Sequence, residues 1–89
     1  MADYKVGFKS SVDKDLGDLP KSFVARVWQR FELLMKEPFP IQALKLKGSE
    51  GLYRIRVGDY RIIYGVNVQA KEVVIHHVRH RREAYRSLS

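Results

Sequence analysis

The sequence predicts an α+β fold: an N-terminal strand, a two-helix hairpin packed on a small, mainly antiparallel β-sheet, and a short C-terminal helix. Three features carry that expectation. Apolar residues recur every three or four positions between Pro20 and Lys36, three segments after residue 51 are rich in β-branched and aromatic residues, and Tyr4–Phe8 alternates with period two. At 89 residues the chain can form one core that buries about 60% of the unfolded surface, and no repeat, linker or low-complexity stretch divides it. Residues 1–89 are therefore read as a single domain.

In "YKVGF", Tyr4, Val6 and Phe8 alternate with Lys5 and Gly7, as in a strand with one buried face. Ser10 or Ser11 can cap a short helix whose apolar side is Val12, Leu16 and Leu19, with Asp13 three residues after Ser10. Pro20 opens the second helix, a position where proline is tolerated. Val24, Val27, Trp28, Phe31, Leu34 and Met35 line one side of it, Arg26, Arg30 and Lys36 mostly point elsewhere, and "EPFP" stops it. "IQALKLKGSEG" is expected to be a connector, with Leu44 and Leu46 alternating briefly with Lys45 and Lys47.

The three later strands are "LYRIRV", "YRIIYGV" and "EVVIHHV". Gly58-Asp59 suits a two-residue hairpin turn, which pairs Val57 with Tyr60, Arg56 with Arg61 and Ile55 with Ile62. Alternation then turns Tyr53, Ile55, Val57, Tyr60, Ile62, Tyr64 and Val66 towards the helices. Arg54, Arg56 and Arg61 go to the other face, where Arg61 is expected to stand in open solvent at the centre of the sheet.

The formal charge is +7, from 17 Lys and Arg against 10 Asp and Glu, with a sequence pI near 9.9, which predicts a polyanion or an acidic protein as partner. There is no cysteine, so disulfides and thiolate metal sites are excluded. No segment resembles a signal peptide or a membrane span, so a cytosolic protein and no membrane partner are expected.

The charge is concentrated where it can read phosphate. Arg56 opposite Arg61 is a like-charge pair that a sheet selected for stability alone would avoid, and arginine's planar fork donates two hydrogen bonds to one phosphate. "VRHRREAYR", residues 78–86, adds four arginines, His80 and Tyr85, with Glu83 the only acid among them. The ring of Tyr85 could anchor the last turn or stack on a base while Arg81, Arg82 and Arg86 hold phosphates. His80 is a candidate proton carrier near neutrality. His76 and His77 are adjacent in a strand, so one should face the core and the other the open side. Without an acid or cysteine cluster at ligand spacing, no metal or other cofactor is expected.

Taken together, "LKGSEGLYRIRVGDYRIIYGV" and "VRHRREAYR" resemble the RelE/ParE superfamily of type II toxins, over nearly the full chain. The RelE-like branch implies a ribosome-dependent endoribonuclease that cuts mRNA in the 30S A site. Its site residues fall here on Arg54, Arg56, Arg61, Arg81 and Tyr85, and Lys47 and Arg82 join Arg54 and Arg56 as the expected RNA-binding set. The implied reaction is metal-independent attack of a 2′-hydroxyl on the adjacent phosphate, with Arg61 stabilising charge, Arg81 assisting the leaving group and Tyr85 stacking on or orienting the nucleotide. This chain has Arg rather than Lys at 54 and 56, and arginine stays protonated, so neither is a conventional base. His80 and Tyr85 remain the alternatives.

The resemblance also implies a cognate antitoxin that blunts the positive field. A ParE-like inhibitor of DNA gyrase, or an inactive basic binding module, would share the fold and the charge.

Overall fold

The hairpin turned by Gly58-Asp59 forms the middle of the sheet. The computed structural model describes residues 3–46, 48 and 51–80, which contain strand β1 (Lys5–Phe8), helix α1 (Ser11–Gly17), helix α2 (Lys21–Lys36), and strands β2 (Leu44–Lys45), β3 (Leu52–Val57), β4 (Tyr60–Asn67) and β5 (Glu72–His80). The expected C-terminal helix lies outside the described residues. The five strands form one sheet in the order β1-β5-β4-β3-β2. All neighbours are antiparallel except β1 and β5, which run parallel from Lys5↔Glu72 to Phe8↔Ile75. The expectation of an α+β fold with a mainly antiparallel sheet holds, the β1–β5 pair being the parallel one.

The β3–β4 register is the one the turn dictates: Val57 pairs with Tyr60, Arg56 with Arg61 and Ile55 with Ile62. Gly58 adopts φ 59°, the left-handed conformation that a tight turn of this kind requires. The connector after α2 contributes more than expected, because Leu44 and Lys45 pair with Arg54 and Tyr53 and make β2 the edge strand.

The core lies between the helices and one face of the sheet. Val12, Leu19, Val27, Phe31 and Leu34 meet Ile55, Val57, Ile62, Tyr64, Val73, Ile75 and Val78, all buried. Burial of a side chain such as Leu34 or Phe31 contributes about 1.5–3 kcal/mol. Helix α2 lies against β1 and β3, and α1 lies against β5. Trp28 departs from the expected core stripe: it is 44% exposed and packs edge-on against Phe31 and Phe8. The Tyr64 hydroxyl donates to the Pro38 carbonyl at 2.9 Å, tying the segment after α2 to the centre of the sheet. Burial first, then the neighbouring Tyr53 and Glu37, pushes the Tyr64 hydroxyl up to about 12, so it remains a donor throughout the physiological range.

Beyond Phe8, β5 has no strand on the side that β1 occupies, and α1 takes over that edge. Lys9 donates its N–H to the Ile75 carbonyl, the Ser11 hydroxyl donates to the His76 carbonyl at 3.0 Å, and the Asp15 carboxylate accepts the Val78 N–H at 3.0 Å. Ser11 therefore serves the sheet rather than the helix end, and Ser10 stands at the N-cap without a side-chain cap bond.

A β-bulge interrupts the pairing of β4 with β5. Ile63 pairs with His77 and Tyr64 with Ile75, which leaves His76 as the extra residue. Neither histidine faces the core. His76 Nε2 lies 3.5 Å from the place a Cβ on Gly65 would occupy, and His77 sits across from Ile63, which alternates away from the core residues Ile62 and Tyr64. Among the described residues no helix is long and apolar enough to cross a membrane.

The turn is a sharp point of strain for substitution. A Cβ at Gly58 would stand 2.7 Å from Phe23 Cε1 and would have to adopt the positive φ, whereas one at Gly17, the last residue of α1, meets nothing within 4 Å. Gly58→Ala should lower the unfolding free energy by about 1–3 kcal/mol, while Gly17→Ala should change it by less than about 1 kcal/mol. Urea unfolding of the two variants measures both, and equal effects would refute this account of the turn.

Candidate nucleic-acid interface

The face of the sheet turned away from the helices carries two rows of side chains that cross the strands. One row is Arg56, Arg61 and Arg79, contributed by β3, β4 and β5 and paired directly with one another. The other is Leu44, Arg54, Ile63 and His77, from β2 to β5. Like charges placed directly opposite destabilise a sheet by some fraction of about 1 kcal/mol per pair, so stability alone does not explain three arginines in register. An anion placed against them would reverse the sign of that interaction.

This face is not flat. Gln42, Leu44, Arg54, Arg56 and Arg61 line a concavity of about 300 Å³ bounded on one side by the short edge strand β2. Arg61 is 4% exposed, Arg54 is half-buried and Arg56 is exposed. The expectation that Arg61 stands in open solvent is therefore corrected. The residue occupies the central strand between Arg56 and Arg79 with Ile63 two positions along, and a deeply seated guanidinium has less freedom to lose when it meets a ligand. It follows that Arg61→Ala would leave a gap, costing more than the ~0.5 kcal/mol typical of a surface change.

At the β5 edge of the face stands Asp15, whose side chain is only 10% exposed. Its Oδ1 lies 3.6 Å from Arg79 Nε, and its Oδ2, already bound to the Val78 N–H, lies 3.9 Å from His77 Nδ1. One carboxylate thus joins α1 to the backbone of β5 and to two side chains of the open face. Burial, with Arg79 next, holds His77 below the ordinary histidine range, and Asp15 opposes this only in part. His76 is lowered as well, by burial first and then by Lys9 and His77.

The structure brings Arg54, Arg56 and Arg61 together as the sequence predicts, but it parts His80 from them. His80 pairs with Tyr60, whose ring packs on Phe23, and the His80 and Tyr60 rings meet edge-on at 5.5 Å. That is the helix side of the sheet, and at the β5 edge the two residues join Asp15, Asp18, Leu19, Val78 and Arg79, which reaches round from the open face, in lining a small hollow of about 110 Å³. The cause is the bulge. With unbroken alternation from Val73 and Ile75, His77 and Arg79 would face the core and His80 the open side. The extra residue exchanges them. Arg79 consequently stands on the candidate face although the sequence reading left it out of the site, and Asp15, beside it, was not singled out either. Lys47, Arg81, Arg82 and Tyr85 lie outside the described residues.

A five-stranded sheet with helices against one face and an arginine row on the other gives the architecture of a small basic α+β protein with an open, positively charged sheet face. The family described as the ParE toxin of type II toxin-antitoxin systems matches residues 6–85, and this chain belongs to it, within the RelE/ParE superfamily. Its relatives include Toxin RelE3 of Methanocaldococcus jannaschii, 32% identical over 91% of this chain and 94% of the relative. The toxin in the archaeal RelE-RelB complex of Pyrococcus horikoshii is 37% identical, with 88% of this chain and 94% of that one covered and a TM-score of 0.77. A chain of the Mycobacterium tuberculosis toxin-antitoxin complex RelBE2 is 32% identical, with 90% and 93% covered and a TM-score of 0.78. The protein is a toxin of the RelE type from a type II toxin-antitoxin system.

The two depressed histidines set a pH dependence with a definite sign. Below the unfolded value of about 6.5 the unfolded chain takes up protons that the folded chain resists, so their contribution to stability is complete above that pH and is lost as pH falls towards the folded values. Melting temperature should therefore drop between about pH 7 and about pH 5, and His77→Gln should flatten the drop. Parallel curves for the wild type and the variant would show that His77 does not resist protonation.

Proposed function

We propose that this protein is a ribosome-dependent endoribonuclease that cuts mRNA in the A site and thereby stops translation. The observation that carries the reading is the arginine row with Arg61 seated at its centre. Cleavage of RNA by its own 2′-hydroxyl passes through a phosphorane whose added negative charge needs fixed positive groups, and a preorganised cation in a partly dry site stabilises that charge more than a mobile one in water.

In this reading Arg54 and Arg56 bind the backbone on either side of the scissile phosphate and Arg61 faces the phosphorane oxygens. The 2′-oxygen forms its bond to phosphorus as the bond to the 5′-oxygen breaks, leaving a 2′,3′-cyclic phosphate and a 5′-hydroxyl. Arg81 and Tyr85 are assigned the leaving group and the nucleotide ring through the family resemblance. Arginines at 54 and 56 remain protonated and do not act as bases. His80 is on the other face of the sheet, which speaks against it as the base and leaves Tyr85, assigned through the family resemblance, as the remaining candidate for the proton. With few proton-transfer groups of its own, the site depends on the ribosome to align the 2′-hydroxyl with the phosphate.

A cognate antitoxin is the proposed protein partner, and the cytoplasm, where ribosomes are, the proposed location. The Pyrococcus relative is described in complex with RelB, which supports the pairing, and the charge of +7 suits an acidic partner.

Programmed ribosomes mixed with the purified protein, followed by mapping of mRNA 5′ ends, test the reading. The wild type should produce ends within the A-site codon. Arg61→Met, which fills the buried volume without the charge, should remain folded in a thermal melt while cleavage falls about a hundredfold or more. Intact mRNA together with inhibited supercoiling by DNA gyrase would replace the nuclease with a ParE-like gyrase inhibitor, and neither activity would leave a basic binding module.

A further inference from the structure

The sheet register adds to the open face an arginine outside the set just described. Arg79 is paired with Arg61 and stands at the end of the row begun by Arg56. It also lies beside a nearly buried carboxylate. Asp15 is 10% exposed, comes from a different element, and approaches Arg79 Nε to 3.6 Å while bound to the Val78 backbone N–H next to it. A carboxylate held by the backbone of the strand that carries its arginine has little freedom to drift, so it fixes where along the strand edge the guanidinium sits. The same carboxylate has His77 Nδ1 nearby, at 3.9 Å.

From this arrangement we infer that Arg79 is a further RNA-backbone contact, extending the Arg56–Arg61 row by one strand, and that Asp15 is its positioning residue. The inference rests on the RNA-directed reading above and deepens it by assigning the path of the strand. The RNA backbone crosses the sheet from the concavity beside β2, over β4, and leaves over β5 towards the N-terminal helix. Asp15 is not a ligand of the RNA. It acts through Arg79 by holding the guanidinium at the edge of the row, so its contribution has the opposite sign from its charge.

That sign makes the inference testable. Neutralising an acid on a chain of charge +7 should tighten binding to any polyanion if only the overall field matters. If Asp15 positions Arg79, Asp15→Asn should instead weaken it. The measurement is fluorescence anisotropy of a labelled single-stranded RNA, made uncleavable by 2′-O-methyl groups, titrated with the full chain over a range of salt. Arg79→Gln should weaken binding and make the slope of log K against log salt shallower by about 0.7, the share of one phosphate contact on a single strand. Arg79→Lys keeps the charge and should keep most of the slope. Asp15→Asn should shift towards Arg79→Gln, and the double variant should bind no more weakly than Arg79→Gln alone, because the second change has nothing left to act through.

Tighter binding by Asp15→Asn, or additive losses in the double variant, would overturn the positioning role. An unchanged slope for Arg79→Gln would overturn the contact itself. If Asp15→Asn does not fold, as read by circular dichroism, the comparison of Arg79→Gln with Arg79→Lys still decides the contact. The ribosome assay separates this inference from the functional reading. A wild type that cuts mRNA while Arg79→Gln binds RNA normally would sink the inference alone. A wild type that binds RNA through Arg79 but cuts nothing would sink the nuclease alone, and a wild type that neither binds RNA nor cuts mRNA on the ribosome would sink both.

Discussion

One extra residue in β5, His76, decides which side chains share a face with Arg61. Before the bulge, Val73 and Ile75 point into the core. After it, Val78 does, and Arg79 moves to the open face beside Arg61 while His80 turns to the helices. Because side chains in a strand alternate with period two, one inserted residue reverses every later position. The core keeps its apolar lining on both sides of the bulge, and the open face exchanges a histidine for an arginine. Burial on one face of the sheet therefore selects the charge presented on the other.

The arginine row is tolerated because its cost is small beside the burial behind it. Repulsion between neighbours in a pair amounts to a fraction of about 1 kcal/mol, whereas each large core side chain on the opposite face contributes about 1.5–3 kcal/mol. Ile55, Val57, Ile62 and Val78 lie behind the Arg56, Arg61 and Arg79 positions and hold the strands in register. The row is thereby assembled in advance of any ligand, and an anion meets groups that are already ordered.

The helix edge has a comparable double use. β1 covers only the first part of β5, and the backbone groups left beyond it would form an exposed edge open to pairing with another chain. Helix α1 closes that edge with the Ser11 hydroxyl and the Asp15 carboxylate. The carboxylate that satisfies the Val78 N–H also meets Arg79 and His77. A structural requirement of the sheet thus places a negative charge at one end of a positive row. This nearly buried acid supplies a fixed point for the outermost arginine.

The sequence by itself determined helix α2, the β3–β4 hairpin with its register, and the placing of Arg54, Arg56 and Arg61 on one face. Those features follow from interactions within a few residues: a 3.6-residue apolar period, a turn that suits Gly58-Asp59, and alternation away from that turn. The family was legible in the same segments. Tertiary structure alone decided the parallel pairing of β1 with β5, the edge strand made from Leu44 and Lys45, the burial of Arg61, and the exchange of His80 for Arg79. Each of these depends on partners distant in the chain. A bulge in particular leaves no local signature in "EVVIHHV", because either histidine could be the extra residue until the packing of Ile75 and Val78 against the helices selects the register that buries both.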